Sequence, residues 1–320
     1  MSSKRNDLHI TFVHRFDQAR AGSFKMRGLN MCAELKKQGV SADWRNENDR
    51  GLKLLRGNVL IFIKPLKLNL PKILSRDNIV IIDPLDDVHL LPNISLPFHF
   101  IFTSKRAREH YRRQFSPLSS SHLPHHFDQR IFRPDNEPST NSIGYVGDRQ
   151  KLESHPKDVL QIKHIQFDEF LASSNNNNRF HWTIKPIRFD YEPLTKTVTA
   201  LAAGAIPIIN TSELGEILPI DYPFHISPKA SKEDLVNLKI RLNDKKELRR
   251  AQDQIKRIAI NHYSVESSCE QLIEIIAKCR KNHNTSAFNF SDSFGILYHD
   301  IKFNLKRVYH RMRSRLLKTR

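Results

Sequence analysis

Short runs of apolar residues, mostly β-branched or aromatic, recur along the first hundred residues of the chain. They cover residues 8–13, 58–63, 79–83 and 98–102, and a further strand is predicted at residues 40–44. Runs that are apolar throughout are typical of parallel strands buried on both faces, and the spans between them are long enough for crossover connections. One such span predicts a helix over residues 24–38 that ends at Gly39, and Ser104 predicts the cap of a basic helix to about Phe115. The pattern therefore predicts a parallel, doubly wound sheet.

A polar, proline-containing stretch at 135–141 separates this pattern from a second one. Beyond it, strands are predicted at residues 142–147, 180–184 and 222–226, and amphipathic helices at residues 232–243, 246–262 and 265–280. Polar linkers of this kind are typical of domain boundaries, and 320 residues suffice for two α/β domains. We predict an N-terminal domain over residues 1–135, a second domain over residues 141–282, and a linker with a tail over residues 283–320.

The segment 192–213 has the clearest local pattern in the second domain. Pro193 fixes the backbone before a run of helix-compatible residues, Thr195 is a good N-cap, and Gly204 is a standard C-terminal stop. The apolar run 206–209 that follows predicts a buried parallel strand. The segment is therefore predicted to be half of a βαβ unit.

The start of this predicted helix has the chemistry of an anion site. A helix N-terminus presents N–H groups and a partial positive charge, and here Lys196 would lie between the hydroxyl groups of Thr195 and Thr197. This combination suits a diphosphate. Capping and solubility alone are the competing interpretation of the same residues.

A longer pattern around these residues resembles the nucleotide-sugar-binding segment of GT-B glycosyltransferases. The matching positions are Pro193, Lys196, Ala200, Gly204, Pro207, Ile208 and Ile209. The resemblance implies an α/β fold in which two Rossmann-like, doubly wound domains face a cleft, with the nucleotide-sugar donor bound by the second domain. It also implies that the last helix of the second domain crosses back to the first.

The start of the second domain also resembles GT-B enzymes. There, a strand and a glycine turn precede an Arg and a Lys that reach the donor diphosphate, and Arg149 and Lys151 occupy the corresponding places after Gly147. The resemblance places Gly147 and Thr199 on the nucleotide and sugar side of the donor. A solvated basic turn is the alternative for Arg149 and Lys151.

Two segments of the first domain carry a further resemblance. The loop with Gly22 and Ser23 resembles the GT-B loop that reaches into the cleft, although an ordinary turn glycine fits as well. The segment 122–134 resembles the one that leaves the first domain in this superfamily, with His125 and His126 where the family usually has Asn and Gly.

The sequence leaves two catalytic mechanisms open, retaining and inverting, and each needs a different catalytic residue. Many retaining GT-B enzymes carry two glutamates eight positions apart, but the corresponding residues here are Tyr191 and Thr199, with Glu192 as a possible substitute for the first. A similar pattern occurs in inverting fucosyltransferase-like enzymes, which need a general base in the first domain. His14, at the end of the first predicted strand, is a candidate for that base, weighed against an ordinary strand-end histidine.

The charge balance indicates an anionic partner. The chain has 52 Lys and Arg against 34 Asp and Glu, a formal net charge of +18. Part of this charge lies in the tail, where apolar residues at helical spacing alternate with basic ones over residues 294–320, predicting a C-terminal basic amphipathic helix. Such a helix is typical of segments that bind an anionic membrane surface. The alternative is an ordinary solvated helix that packs against the rest of the protein.

Other features narrow the class of protein. The cysteines Cys32, Cys269 and Cys279 are widely spaced, which favours reduced thiols over disulfides or a zinc site. The apolar run 8–13 is too short for a signal-peptide core, and nothing approaches the ~20 apolar residues of a membrane span. We therefore predict a cytoplasmic protein, peripherally associated with the inner face of a membrane. Nucleic acid is disfavoured as a partner because aromatic residues do not interleave with the basic runs.

Together these features predict a glycosyltransferase, specifically a metal-independent hexosyltransferase. The expected substrates are a nucleotide-sugar donor and a glycan or lipid-linked acceptor, in cell-surface polysaccharide or glycolipid synthesis. We expect no cofactor and no metal. The alternatives are a catalytically inactive GT-B-like binding protein, favoured by the missing glutamate pair, and an inverting fucosyltransferase-like enzyme.

Overall fold

A computed structural model describes most of the chain as two compact units. The described residues are 9–14, 24–65, 69–85, 98–114, 119–133, 140–147, 159–166, 169–170, 178–184, 194–227 and 229–283. Unit 1 contains those up to Leu123 and from Cys269 onward, and unit 2 contains those from Pro124 to Ser268. The tail predicted over 294–320 lies outside the described residues.

The described residues form both β-strands and α-helices. The strands are β1 His9–His14, β2 Ser41–Asn46, β3 Val59–Ile63, β4 Ile79–Asp83, β5 His99–Phe102, β6 Ser120–His122, β7 Thr140–Val146, β8 Ile162–Ile165, β9 Asn178–Trp182, β10 Ile206–Asn210 and β11 His225–Ile226. The α-helices are α1 Met31–Lys37, α2 Asn69–Leu74, α3 Lys105–Gln114, α4 Thr195–Ala202, α5 Lys232–Leu242, α6 Lys245–Lys256 and α7 Val265–His283.

Unit 1 is built on a six-stranded parallel sheet in the order β2-β1-β3-β4-β5-β6. This confirms the predicted doubly wound sheet, and the five predicted strands begin within one residue of their predicted starts. Every residue of the central strand β3 is buried. Burial on both faces is the physical reason that the strand is apolar throughout.

The first predicted helix is confirmed, with one irregularity. It opens with a π-helical turn, Lys25–Asn30, which continues directly into α1 and ends before Gly39. π-Helical turns are rare and are frequently found at functional sites. Here the turn buries Arg27, which is only 1% exposed.

Unit 2 contains a five-stranded parallel sheet in the order β11-β10-β9-β7-β8. Strand β8 was not predicted, because it lies at the edge of the sheet and is half-exposed, so its sequence lacks an apolar run. The last predicted strand is shorter than expected, with only His225–Ile226 paired. The helix predicted at 246–262 is wrong in its last third, since α6 ends at Lys256 and a 3₁₀ turn, Ile260–Tyr263, follows.

The helix, glycine turn and strand predicted at 195–209 are confirmed as α4 and β10, but the predicted cap is wrong. The N-cap residue is Leu194, which makes no side-chain capping bond, and Thr195 is the first helical residue. Leu194 is buried at 8% exposure. Packing of that apolar side chain, rather than a threonine cap, fixes where the helix begins.

The C-terminal end of α4 is a Schellman turn. Gly204 has φ +70°, and the Ala205 N–H donates to the Ala200 carbonyl at 2.9 Å. The Gly204 N–H donates to the Leu201 carbonyl at 3.1 Å. Glycine adopts this left-handed conformation without steric cost, which explains why it stops the helix here.

The division between the units falls before the linker predicted at 135–141. Phe127 and Ile131 are buried in one cluster with Val198 and Ala202 of α4, so residues 124–133 belong to unit 2. The predicted domain limits, residues 1–135 and 141–282, stay a prediction.

Helix α7 contributes to unit 1 from Cys269 onward. The Cys269 Sγ lies 3.6 Å from the Met31 carbonyl oxygen. Cys32, Cys269 and Cys279 all lie within the described residues, where they are buried and form no disulfide. Within the described ranges, no helix is both long and apolar enough to cross a membrane.

Candidate functional site

The carboxyl edge of the unit 2 sheet brings together several of the predicted site residues. Strand β7 lies between β8 and β9, so the chain leaves β7 toward one side of the sheet and resumes at β9 on the other. Ligands of open α/β sheets bind outside the carboxyl ends of the strands at such a switch point. Gly147 follows β7, and the N-terminus of α4 comes after the carboxyl end of β9.

Lys196, the second residue of α4, extends to strand β7. Its Nζ donates a hydrogen bond to the Tyr145 hydroxyl at 2.8 Å and lies 4.1 Å from the centre of the Tyr145 ring. Tyr145 is 0% exposed and lies one residue before the end of β7. The cation is therefore held at the carboxyl edge by both the hydroxyl and the ring of a rigid core side chain.

Gly147 is required by the packing around Tyr145 and Lys196. Its φ is +149°, and a Cβ there would lie 3.2 Å from the Tyr145 hydroxyl oxygen and 3.4 Å from Lys196 Cε. Its carbonyl oxygen is 2.8 Å from Nε2 of His164 on β8. Since a carbonyl only accepts, this His164 nitrogen carries the proton.

Thr197 lies in the interior of unit 2. It is 3% exposed, and its hydroxyl donates to Oε2 of Glu213 at 3.2 Å. The Thr183 hydroxyl lies 3.4 Å away and donates to the Ile208 carbonyl at 2.8 Å. A carboxylate beside the first turn of α4 interacts favourably with the positive end of the helix dipole. Sequence reasoning missed Glu213 and Thr183, although each follows the carboxyl end of a strand, which is the signal that places them at this edge.

The other predicted donor-site residues divide into two groups. Thr195 and Thr199 are half-buried on α4. Arg149, Lys151 and Glu192 lie outside the described residues. The structure therefore places Gly147 beside Lys196, while the neighbouring Thr197 is buried against Glu213 and Thr183. The roles predicted for all of these residues stay predictions.

The candidate base of unit 1 lies in a core environment. His14 ends β1, is 1% exposed, and stacks on Phe24 with ring centres 4.4 Å apart. This confirms its predicted position at a strand end, and its role as a base stays a prediction. Gly22 and Ser23 lie outside the described residues.

Unit 1 also contains a buried ion pair that sequence reasoning missed. Arg27 Nε donates to Asp83 Oδ2 at 2.9 Å, and another Arg27 nitrogen donates to the Leu123 carbonyl at 2.8 Å. Burial raises the pKa of Asp83, and the charge and hydrogen bond of Arg27 oppose that rise. Asp83 Oδ1 also accepts a hydrogen bond from the Leu85 N–H at 3.3 Å.

No group of three or more His, Cys, Asp or Glu side chains suited to a metal ion occurs in the parts of the chain that the structure describes. The predicted metal independence is a separate matter of mechanism and stays a prediction.

Comparison with known proteins places this architecture in a fold class. No protein-family model matches the chain, and no curated protein matches it by sequence. Among solved structures, Anabaena HepE in complex with UDP has a TM-score of 0.58 at 9% identity, over 85% of this chain and 100% of HepE. HepE in complex with UDP-glucose gives a TM-score of 0.57 at 12% identity, over the same shares of the two chains.

Two further solved structures have the same architecture. The lipopolysaccharide outer core galactosyltransferase WaaB, in its apo form, has a TM-score of 0.55 at 10% identity, over 85% of this chain and 99% of WaaB. The N-terminal domain of Candida albicans trehalose-6-phosphate phosphatase has a TM-score of 0.55 at 10% identity, over 87% of this chain and 98% of that domain. The chain has the GT-B fold of glycosyltransferases. At these identities the likeness establishes the fold alone.

Proposed function

We propose that this protein is a glycosyltransferase that transfers a hexosyl group from a nucleotide-sugar donor to a glycan or lipid-linked acceptor. The observation that carries the proposal is the position of Lys196 and Gly147 at the switch-point edge of the unit 2 sheet, beside the start of α4. The fold it shares with a UDP-glucose complex and a galactosyltransferase supports the same class of reaction. Cell-surface polysaccharide or glycolipid synthesis is the proposed context.

The proposed chemistry is electrostatic stabilisation of the leaving nucleoside diphosphate. Lys196 is a cation at the start of a helix whose N–H groups favour an anion. We assign Arg149 and Lys151 to the same diphosphate, and Thr195 and Thr197 to the helix start that receives it. Charges fixed before the reaction stabilise a developing anion without reorganisation. Glu192 and His14 stay the candidates for the catalytic carboxylate and the general base, with no metal or cofactor assigned.

The proposal predicts selective binding of nucleoside diphosphates. In calorimetric titrations of the full chain with UDP, GDP and CDP, at least one should bind with a Kd below about 1 mM, and the matching nucleoside should bind at least roughly tenfold more weakly because it lacks the phosphate contacts. Equal affinity for nucleoside and diphosphate, or no binding in the whole panel, would remove the basis of the proposal.

A second candidate function is that of a GT-B-like binding protein without catalysis. It is favoured by Tyr191 and Thr199 at the positions where many retaining enzymes carry glutamates. The two candidates differ in turnover. Release of free sugar or transfer to an acceptor, from the nucleotide-sugar that binds best, identifies an enzyme, whereas binding without either identifies a binding protein.

We further propose that residues 294–320 bind the inner face of an anionic membrane, where a lipid-linked acceptor would be found. The support is the sequence pattern of this segment, in which each basic residue near an anionic surface contributes roughly 1 kcal/mol. Truncation after Asn282 should abolish cosedimentation with anionic vesicles while nucleoside diphosphate binding is retained. Vesicle binding by the full chain should also weaken at high salt. Full-length protein that ignores anionic vesicles at low salt would rule the membrane role out.

A further inference from the structure

The interaction between Lys196 and Tyr145 fixes the direction of a side chain that is otherwise mobile. A lysine side chain has about 2 kcal/mol of rotamer entropy, so an ammonium group on a free stem has no defined position. Here Nζ has both a hydrogen bond to the Tyr145 hydroxyl at 2.8 Å and a ring contact at 4.1 Å. Two contacts to one aromatic side chain define both the distance and the angle of approach.

Tyr145 is itself held rigidly. It is 0% exposed on β7, a strand with neighbours on both sides. Its hydroxyl lies against Gly147, where a Cβ would come within 3.2 Å. His164 fixes the Gly147 carbonyl through a 2.8 Å contact. A continuous set of contacts therefore runs from β8 through β7 to the start of α4.

We propose that Tyr145 is a positioning residue that orients the Lys196 ammonium for binding the donor diphosphate. This inference rests on the proposed function. A lysine ammonium carries three N–H donors, so it is able to donate to Tyr145 and to phosphate oxygens at once. Orientation before binding reduces the entropy lost when the ligand contact forms, and this raises affinity. Tyr145 acts through Lys196 and makes no contact with the diphosphate.

The test is Tyr145→Phe, which retains the ring and removes only the hydroxyl. Its affinity for the nucleoside diphosphate that binds best should fall about three- to tenfold, in line with the net contribution of one typical hydrogen bond, because the ammonium loses its orientation but is still present. Affinity for the nucleoside should not change. Tyr222→Phe is the matched control, because Tyr222 is also 0% exposed and its hydroxyl donates to the Pro207 carbonyl at 2.8 Å, within the same unit. This control should lose thermal stability but keep its affinity for the diphosphate.

A double-mutant cycle separates positioning from a structural role. In a Lys196→Ala background, Tyr145→Phe should change diphosphate affinity by less than about 1.5-fold, because the group it orients is gone. An equal loss in both backgrounds, or no loss in the wild-type background, would overturn the inference. If Lys196→Ala itself binds diphosphate as the wild type does, the proposed function of the site has failed instead.

A ligand-independent measurement keeps the inference testable in that case. Acylation of Lys196 by an amine-reactive reagent, followed by mass spectrometry, should be several-fold faster in Tyr145→Phe than in the wild type or Tyr222→Phe. An unchanged rate would show that Tyr145 does not hold the ammonium.

Discussion

Replacing Arg27 with leucine should lower the free energy of unfolding of unit 1 by about 3–5 kcal/mol. The side chains of Arg27 and Asp83 are 1% and 2% exposed and are joined at 2.9 Å. Removing one partner of a buried ion pair leaves an uncompensated buried charge, which is the costly outcome. The change also removes the bond to the Leu123 carbonyl. Urea unfolding followed by the fluorescence of Trp44, in a Trp182→Phe background, reports on unit 1.

The stability lost in the Arg27→Leu variant should depend on pH. Without Arg27, the pKa of Asp83 should rise further above its ordinary value, because burial then acts unopposed by the charge and hydrogen bond of the arginine. A carboxyl group whose pKa is higher in the folded state than in the unfolded chain stabilises the fold at low pH and loses that contribution as pH rises. The Arg27→Leu variant should therefore lose more stability at pH 8 than at pH 5.

Two variants test the cause of this loss. Arg56→Leu breaks an ion pair of similar length in the same unit, 3.0 Å to Asp77, but one that is 59% and 50% exposed. It should cost at most about 1 kcal/mol. Asp83→Asn in the Arg27→Leu background removes the uncompensated buried charge of the Asp83 carboxylate and should recover stability at pH 8. A loss equal to that of Arg56→Leu, with no dependence on pH, would contradict this account of the buried pair.

Replacing Lys196 with alanine should weaken binding of the nucleoside diphosphate by roughly 1.5–3 kcal/mol, about 10- to 150-fold, because a charge-assisted contact to phosphate is lost. The side chain is positioned by Tyr145 and by the close approach at Gly147, so the loss concerns an oriented cation rather than a mobile surface charge. Isothermal titration calorimetry of wild type and variant gives the difference directly.

Lys246→Ala is the matched control for this prediction. Lys246 is likewise the second residue of its helix, α6, but it is exposed and lies on a helix that carries no predicted site residue. Its removal should leave diphosphate affinity within about twofold, since screened surface charges act weakly at a distance. Nucleoside affinity should be unchanged in both variants. Unchanged diphosphate affinity in a folded Lys196→Ala variant would mean that the diphosphate site lies elsewhere.

The elements that the sequence predicted well are those whose signal is local. Strands β3 and β4 of unit 1 are almost entirely apolar because both of their faces are covered, so their positions follow from composition alone. Helix α3 begins after Ser104, whose hydroxyl accepts from the Ala107 N–H at 3.2 Å, as the capping pattern predicted. The end of α4 is predictable from Gly204 alone, because the positive φ that ends the helix favours glycine at that single position.

The elements that the sequence did not predict depend on residues that are close in space but distant in the chain. Strand β8 is half-exposed at the sheet edge, and only its pairing with β7 makes it a strand. The start of α4 was placed on a threonine cap, whereas burial of Leu194 decided it. Burial is set by what packs against a residue, which no short window of sequence contains.

The sequence by itself determined the parallel α/β architecture and the helix and strand around Lys196, because the signals for these elements lie in the residues of each element and their immediate neighbours. Only the tertiary structure decided which side chains meet. Lys196 and Tyr145 are 51 positions apart, and Arg27 and Asp83 are 56 apart. Tyrosines and aspartates occur in many places along the chain, so their residue types alone do not single out these pairs. The parallel order of the strands brings their carboxyl ends to one edge, and that order creates the contacts.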